Sequence, residues 1–193
     1  MSSLDGKKQK LLLHACCAPC LSASILEVLE DFQVTAYFFN PNIHPQEEYK
    51  KRLDEFISFC KKMNYDYIIQ ECGEALWEEE CSPFFEEKEG GKRCGKCFEM
   101  RLLQTAKCAK EQGYDWFCTT LTISPHKNSI LINKIGYEIE NAMEIASDTD
   151  FQNNPKFLEK NFKKKDGFKK SLQLSKENGL FRQNYCGCRF SFR

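Results

Sequence analysis

Long apolar runs are missing from this chain of 193 residues. Its strictly apolar stretches extend only a few residues, far short of the roughly 20 needed to span a bilayer as a helix, so no membrane association is expected. The first ten residues, Met1 to Lys10, lack the apolar core of a secretory leader, and the expected site of action is the cytoplasm. Net charge is missing too: 28 Lys and Arg balance 28 Asp and Glu, which argues against a generic coat for nucleic acid. No internal repeat and no low-complexity block is present. One further absence bears on chemistry. The run Cys16-Cys17-Ala18-Pro19-Cys20 contains no glycine, so its backbone is poorly suited to cradling a nucleotide phosphate.

The neutral total hides a split. From Lys156 to Arg193 eleven Lys and Arg stand against three Asp and Glu, a local charge of +8 that leaves −8 for the remainder. Such asymmetry fits a basic region facing an anionic partner, and equally a solvated, Lys-rich helical surface.

Periodicity places the elements. Lys10 to Ala15 reads as a buried strand. Ser22 to Asp31 reads as a helix, with Ser22 as its cap. Val34 to Phe39 is a strand stopped by Asn40-Pro41-Asn42. Glu47 to Met63 is an amphipathic helix with Tyr49, Leu53, Phe56, Ile57 and Cys60 on one face. Tyr65 to Gln70 is a third strand. Ala75 to Gly91 is acidic and less regular, a short helix followed by a loop. Cys97 to Gln112 reads as a helix, Trp116 to Leu121 as a fourth strand, His126 to Ala146 as a long helix and Phe168 to Asn178 as a last helix. Asp148 to Pro155 is polar with no clear period. The β-α-β-α-β opening predicts an α/β fold, a parallel sheet with helices packed on its faces, formed as one domain over 1–193 with 1–9 disordered. In such sheets ligands bind beyond the carboxyl ends of the strands. The segments Cys16 to Cys20, Asn40 to His44 and Thr122 to Asn128 are therefore expected to share one crevice.

What the chain has in excess is cysteine, twelve in all. Without an export signal a disulfide framework is the weaker explanation, and clustered thiols in a reducing compartment point to metal ligands or redox groups. Seven of them form three tight groups. Cys17-x-x-Cys20 and Cys94-x-x-Cys97 supply four thiolates, the number for a tetrahedral zinc site or a 4Fe-4S cluster. On spacing alone zinc and iron–sulfur stand level, and a redox dithiol ranks third because it explains one pair only. Cys94 to Cys97 opens a helix, where the dipole favours thiolate. Cys16 is expected to point away from Cys17, since successive side chains diverge. Together with Cys186 and Cys188 it then suits a second metal beside the first. Cys60 and Cys118 read as core fillers, while Cys72, Cys81 and Cys108 are scattered.

The motifs His14-Ala15-Cys16-Cys17-Ala18-Pro19-Cys20, Asn40-Pro41-Asn42-Ile43-His44, Arg93-Cys94-x-x-Cys97, Thr119-Thr120-Leu121-Thr122-x-Ser124-Pro125-His126-Lys127 and Arg182-Gln183-Asn184-Tyr185-Cys186-Gly187-Cys188 resemble, in order, the cobalamin-independent epoxyqueuosine reductases of QueH type. The resemblance spans residues 11 to 189. It implies an adenine-nucleotide alpha-hydrolase-like (HUP) fold and an oxidoreductase acting in the last step of queuosine synthesis on tRNA, where epoxyqueuosine becomes queuosine. It also implies a 4Fe-4S cluster on Cys17, Cys20, Cys94 and Cys97, beside a mononuclear iron on Cys16, Cys186 and Cys188. Opening an epoxide needs electrophilic help at oxygen and a proton donor; His126, Lys127 and Tyr185 are the candidates. The expected partners are the anticodon loop of a tRNA and an electron donor such as a ferredoxin or flavodoxin. Lys163, Lys164, Lys165, Lys169, Lys170 and Arg182 are candidate phosphate contacts. Two competing readings are an iron–sulfur tRNA thiolase, which would need ATP, and a zinc-stabilised RNA-binding module.

Overall fold

A parallel strand buried on both faces needs a continuous apolar run rather than alternation, and Leu11-Leu12-Leu13 supplies one. In the computed structural model, which describes residues 8–146 and 154–191, this run forms the centre of β1 (Gln9–His14). Four more strands join it: β2 (Phe32–Phe38), β3 (Asp66–Ile69), β4 (Trp116–Thr119) and β5 (Lys156–Phe157). All pairings are parallel and the order is β3-β2-β1-β4-β5. The pleat of β1 divides the core. Leu11 and Leu13 face a cluster with Val34, Phe38, Phe56 and Phe162, while Leu12 faces one with Leu102, Phe117, Ile132 and Phe157.

The first cluster lies under α1 (Ala18–Ser24), α2 (Gln46–Met63) and α6 (Gly167–Asn178); the second lies under α3 (Glu74–Cys81), α4 (Lys92–Glu111) and α5 (Ser129–Ile145). Helices thus cover both faces, as the β-α-β pattern predicts. Because β1 pairs with β2 on one side and β4 on the other, the chain reverses direction across the sheet at β1. A crevice opens at such a switch point. The segments leaving β1 and β4 flank it.

Four elements depart from expectation, the first being α4, which begins at Lys92 rather than Cys97. Helix α1 starts at Ala18, straight after the cysteine turn, with Cys17 at the N-cap and Pro19 in the first turn. Proline is well tolerated there because its missing N–H has no helical partner anyway. Ser22 is consequently not a cap; it is buried inside α1 and donates its hydroxyl to the Pro19 carbonyl at 2.9 Å. Helix α5 begins at Ser129 rather than His126, because the Asn128 side chain accepts from the Ile130 and Leu131 N–H groups. β5, two residues long, is too short for periodicity to reveal. The expected disorder over 1–9 and the polar stretch 148–155 fall largely on residues 1–7 and 147–153, outside the described residues, and Gln9 already belongs to β1.

His14 fastens the switch point. It is fully buried, and burial, then the nearby Arg101 guanidinium, push its imidazole down to about 3, so the ring is neutral with one N–H. The Phe39 carbonyl can only accept, so Nε2–H donates to it at 3.1 Å and Nδ1 accepts from the Thr119 hydroxyl at 2.9 Å. Thr119 in turn accepts from the Leu121 N–H at 3.1 Å. One ring thereby ties the ends of β1, β2 and β4 together. His14→Leu leaves two buried partners unsatisfied and is expected to lower unfolding stability by about 2 kcal/mol, read from urea denaturation; an unchanged midpoint would show that the tie carries no weight.

Candidate metal centre

Alternation of side chains holds only while the backbone is extended, and β1 ends at His14. Cys16 and Cys17 sit in the bend that follows, and their sulfurs lie 3.8 Å apart. The divergence expected from the strand rule does not occur. With Cys20, one turn into α1, they form a set whose sulfurs all lie within 4.8 Å of one another. At the start of α4, Cys94 accepts from the Gly90 N–H at 3.2 Å, and Cys97 follows one turn later, buried. At the other end of the chain the Cys186 and Cys188 sulfurs are 3.7 Å apart.

All seven line a single cavity of about 310 Å³, together with Ser124 to Asn128 and Arg182 to Tyr185. Cys60, Cys72, Cys81, Cys108 and Cys118 do not line it. Every one of the twelve cysteines is a free thiol. A convergent, unbridged thiol set of this kind fits a thiolate-bound metal centre.

The surroundings favour thiolate at two of the seven sulfurs, Cys16 and Cys186, and the neutral thiol at Cys17, Cys20, Cys94 and Cys188, where neighbouring thiols or, at Cys94, burial raise the proton affinity. Hydrogen bonds from Cys17 and Cys20 hold Cys16 well below the ordinary thiol range against the opposing effect of burial, helped by Lys127 and Arg101. Cys17, sharing its proton with Cys16, is pushed up to about 12. The same division recurs at the other end, where contact with Cys188 lowers Cys186 despite burial and Lys127 adds to it. Arg101, buried on α4, would lose affinity for its proton through burial, but Cys97, Cys16, Cys186 and Cys188 more than compensate. Lys127 behaves alike: burial pulls it down, and Cys16, Cys186 and Cys20 raise it above the usual range.

Of the candidate proton donors, Lys127 lines the cavity among these sulfurs. His126 lies exposed at the rim, its backbone N–H donating to the Ser124 hydroxyl at 3.3 Å. Tyr185 also lines the cavity, but its hydroxyl donates to the His44 carbonyl at 2.8 Å. The Asn40 to His44 segment does not line the crevice as expected. It is buried behind it, tied to other loops by two hydrogen bonds: the Asn40 side chain donates to the Ala15 carbonyl at 3.0 Å and the His44 backbone N–H to the Gly187 carbonyl at 2.8 Å. Among the basic residues, Lys163 donates to the Lys127 carbonyl at 2.7 Å and Arg182 to Ser171 and Ser175, whereas Lys164, Lys165, Lys169 and Lys170 are exposed.

Residue-type reasoning passed over four features. Arg52, Arg93 and Arg101 are all buried, and Trp77, Phe85 and Phe190 form an aromatic wall with centroids 4.9–6.2 Å apart. Arg93 stacks on Phe190 at 4.3 Å and donates to the Phe85 carbonyl at 2.9 Å. A signal existed for the arginines: Arg93, Cys97 and Arg101 follow one another at helical spacing of four on the buried stripe of α4, and Arg52 precedes Phe56 likewise on α2. A cation on an apolar stripe needs a partner.

Comparison with known proteins places this geometry. A family model described as "Epoxyqueuosine reductase QueH" matches residues 11–193. A Staphylococcus epidermidis protein named epoxyqueuosine reductase QueH is 39% identical over 196 residues, covering 97% of this chain and 78% of its own. A Thermotoga maritima protein of the same name is 37% identical over 186 residues, covering 94% and 89%. Among solved structures, the U34-tRNA thiolase NcsA from Methanococcus maripaludis, determined with its [4Fe-4S] cluster, superposes with a TM-score of 0.59 at 13% identity; the match covers 97% of this chain and 63% of the thiolase. A chain from Methanocaldococcus jannaschii described as a predicted subunit of tRNA methyltransferase gives 0.55 at 14% identity, covering 91% and 93%. These likenesses show the fold, α/β of HUP-like type. Among the described residues no helix is long and apolar enough to cross a membrane.

Cobalt(II) added anaerobically to the metal-free chain should produce thiolate charge-transfer absorbance. Cys94→Ala with Cys97→Ala is expected to remove about half of it, whereas Cys60→Ala with Cys118→Ala leaves it unchanged. Equal losses in both double variants would contradict a single convergent centre.

Proposed function

Because the chain belongs to the epoxyqueuosine reductase QueH family, we propose that it reduces epoxyqueuosine in tRNA to queuosine. The carbons of the epoxide gain two electrons and become an alkene, and the oxygen leaves as water with two protons. The observation that carries this reading is the convergence of Cys16, Cys17, Cys20, Cys94, Cys97, Cys186 and Cys188 on one cavity. Seven thiols exceed the four of a tetrahedral zinc site, which disfavours a zinc-stabilised binding module. A thiolase would need a phosphate-binding turn after β1, where this chain has cysteines and a proline without glycine.

We assign Cys17, Cys20, Cys94 and Cys97 to a 4Fe-4S cluster and Cys16, Cys186 and Cys188 to a neighbouring iron, on the family resemblance and the thiol count. The chemistry such a centre supplies when bound is one-electron transfer and Lewis-acid polarisation of the epoxide oxygen. A small redox protein, ferredoxin or flavodoxin in type, would deliver the electrons.

The chain's own residues do the rest. Arg101 and Lys127 compensate the thiolates' negative charge inside the fold. Lys127 is the favoured proton donor to the leaving oxygen, ahead of His126 at the rim and Tyr185, whose hydroxyl already serves the His44 carbonyl. With the metal centre on the sulfur-lined part of the cavity, a single splayed base from an anticodon loop would enter at the part lined by Ser124 to Asn128 and Arg182 to Tyr185; unpaired bases of such a loop leave the stack cheaply. The Phe168 ring at the cavity's edge, with Arg182 over it at 5.3 Å, offers a stacking surface. The exposed Lys164, Lys165, Lys169 and Lys170 would meet phosphates beside that opening.

Two experiments test this. Anaerobic turnover of epoxyqueuosine-containing tRNA with a chemical reductant should give queuosine with the full chain and none with Cys186→Ala; full activity in the variant would refute the role given to that thiol. Lys164→Glu with Lys169→Glu should weaken tRNA binding and reduce the slope of log K against log salt by about 0.7–0.9 per lost phosphate contact. An unchanged slope would remove these lysines from the tRNA face.

A further inference from the structure

The last cysteine pair rides on a segment with little regular structure. From Leu180 to Cys188 there is no helix or strand until the short turn Arg189–Ser191, so the backbone groups of this stretch must find partners elsewhere. Several come from outside the segment. Glu55 Oε1 accepts from the Phe181 N–H at 2.5 Å, at the start of the stretch. The His44 N–H donates to the Gly187 carbonyl at 2.8 Å. The partner between them is Arg52, from the middle of α2.

A guanidinium removed from water is costly unless its donors are matched. Arg52 is 1% exposed, and each of its three nitrogens has one acceptor. Nε donates to Glu48 Oε1, one helical turn earlier, at 2.6 Å. Nη1 donates to the Cys186 carbonyl at 3.2 Å and Nη2 to the Tyr185 carbonyl at 3.4 Å. The guanidinium carbon lies 5.0 Å from the centre of the Tyr185 ring. Gly187, at φ +117, lets the backbone come this close; a Cβ there would stand 3.1 Å from Arg52 Nη1 and 3.0 Å from Ile43 Cγ1. Arg52 does not line the cavity. Its contacts reach the loop from behind.

We infer that Arg52 is a positioning residue: its fork grips the Tyr185 and Cys186 carbonyls and holds the Cys186-Gly187-Cys188 loop against the cysteine turn at the other end of the chain. Two adjacent carbonyls need two donors in a fixed plane, which a guanidinium offers and a single ammonium does not. Glu48 sets the direction of the fork. The inference leans on the metal-centre reading only in treating the loop as ligand-bearing; the closure of the loop can be read without metal.

The test uses the full chain, metal-free and reduced, with iodoacetamide labelling followed cysteine by cysteine by mass spectrometry. In Arg52→Gln, Cys186 and Cys188 are expected to react about tenfold faster, with Cys94 and Cys97 within about twofold of wild type. Arg52→Lys should show the same acceleration despite its retained charge. Unchanged rates at Cys186 and Cys188, a uniform acceleration at every cysteine, or wild-type rates in Arg52→Lys would each overturn the assignment. Circular dichroism establishes folding of each variant. Should Arg52→Gln not fold, Glu48→Gln keeps the arginine but loosens its aim: about threefold acceleration confined to Cys186 and Cys188 supports the inference, and none overturns it. Because labelling needs neither metal nor tRNA, an inactive reductase leaves this result standing, and an active one does not supply it.

Discussion

Gathering sulfur anions in a place sheltered from water is electrostatically costly, and the surrounding architecture answers that cost. Two thiols, Cys16 and Cys186, are driven toward thiolate by contact with neighbouring thiols and by Lys127. The compensating cations come from three different elements: Arg52 from α2, Arg101 from α4 and Lys127 from the segment after β4. The two buried arginines would not be tolerated on their own in an apolar interior, whereas Lys127 is partly exposed. Thiolates and cations justify one another's burial, and the loops that carry them are fixed as a consequence.

The topology makes this meeting possible. With β1 in the middle of the sheet and β2 and β4 on either side, the chain leaves β1 directly into the cysteine turn and leaves β4 into the segment that presents Lys127. His14 binds the three strand ends into one frame. α4 then adds Cys94 and Cys97 from one helical layer, while Arg52 reaches the C-terminal loop from the other. Residues from opposite ends of the chain, Cys20 and Cys186, come to line the same cavity.

Much of this was legible in residue order, and the reasons differ by element. The strands and long helices were readable because each hides an apolar stripe or run whose period is local. The seven cavity cysteines were readable because their short spacings keep each group together whatever fold surrounds it, and the fold brings the groups to one cavity. Loop roles were less so. Asn40 to His44 follows a strand, which is where a ligand loop belongs, yet the Asn40 side chain bonds to Ala15 and the His44 backbone to Gly187, partners that only the folded chain supplies. The Cys16–Cys17 approach is not legible from strand alternation, because the strand ends at His14 and both cysteines lie beyond it. The buried arginines were hidden in plain amphipathic helices, where a cation is ordinarily solvent-facing. Only their place on the buried stripe sets them apart.

On the proposed function the seven converging thiols hold one redox centre rather than a structural zinc site with spare cysteines. Iron, zinc and acid-labile sulfide analysis of the anaerobically prepared full chain tests it most directly. A cluster with a neighbouring iron gives about five irons and about four sulfides per chain, with negligible zinc. One tightly held zinc and no sulfide, in a folded chain, would contradict it.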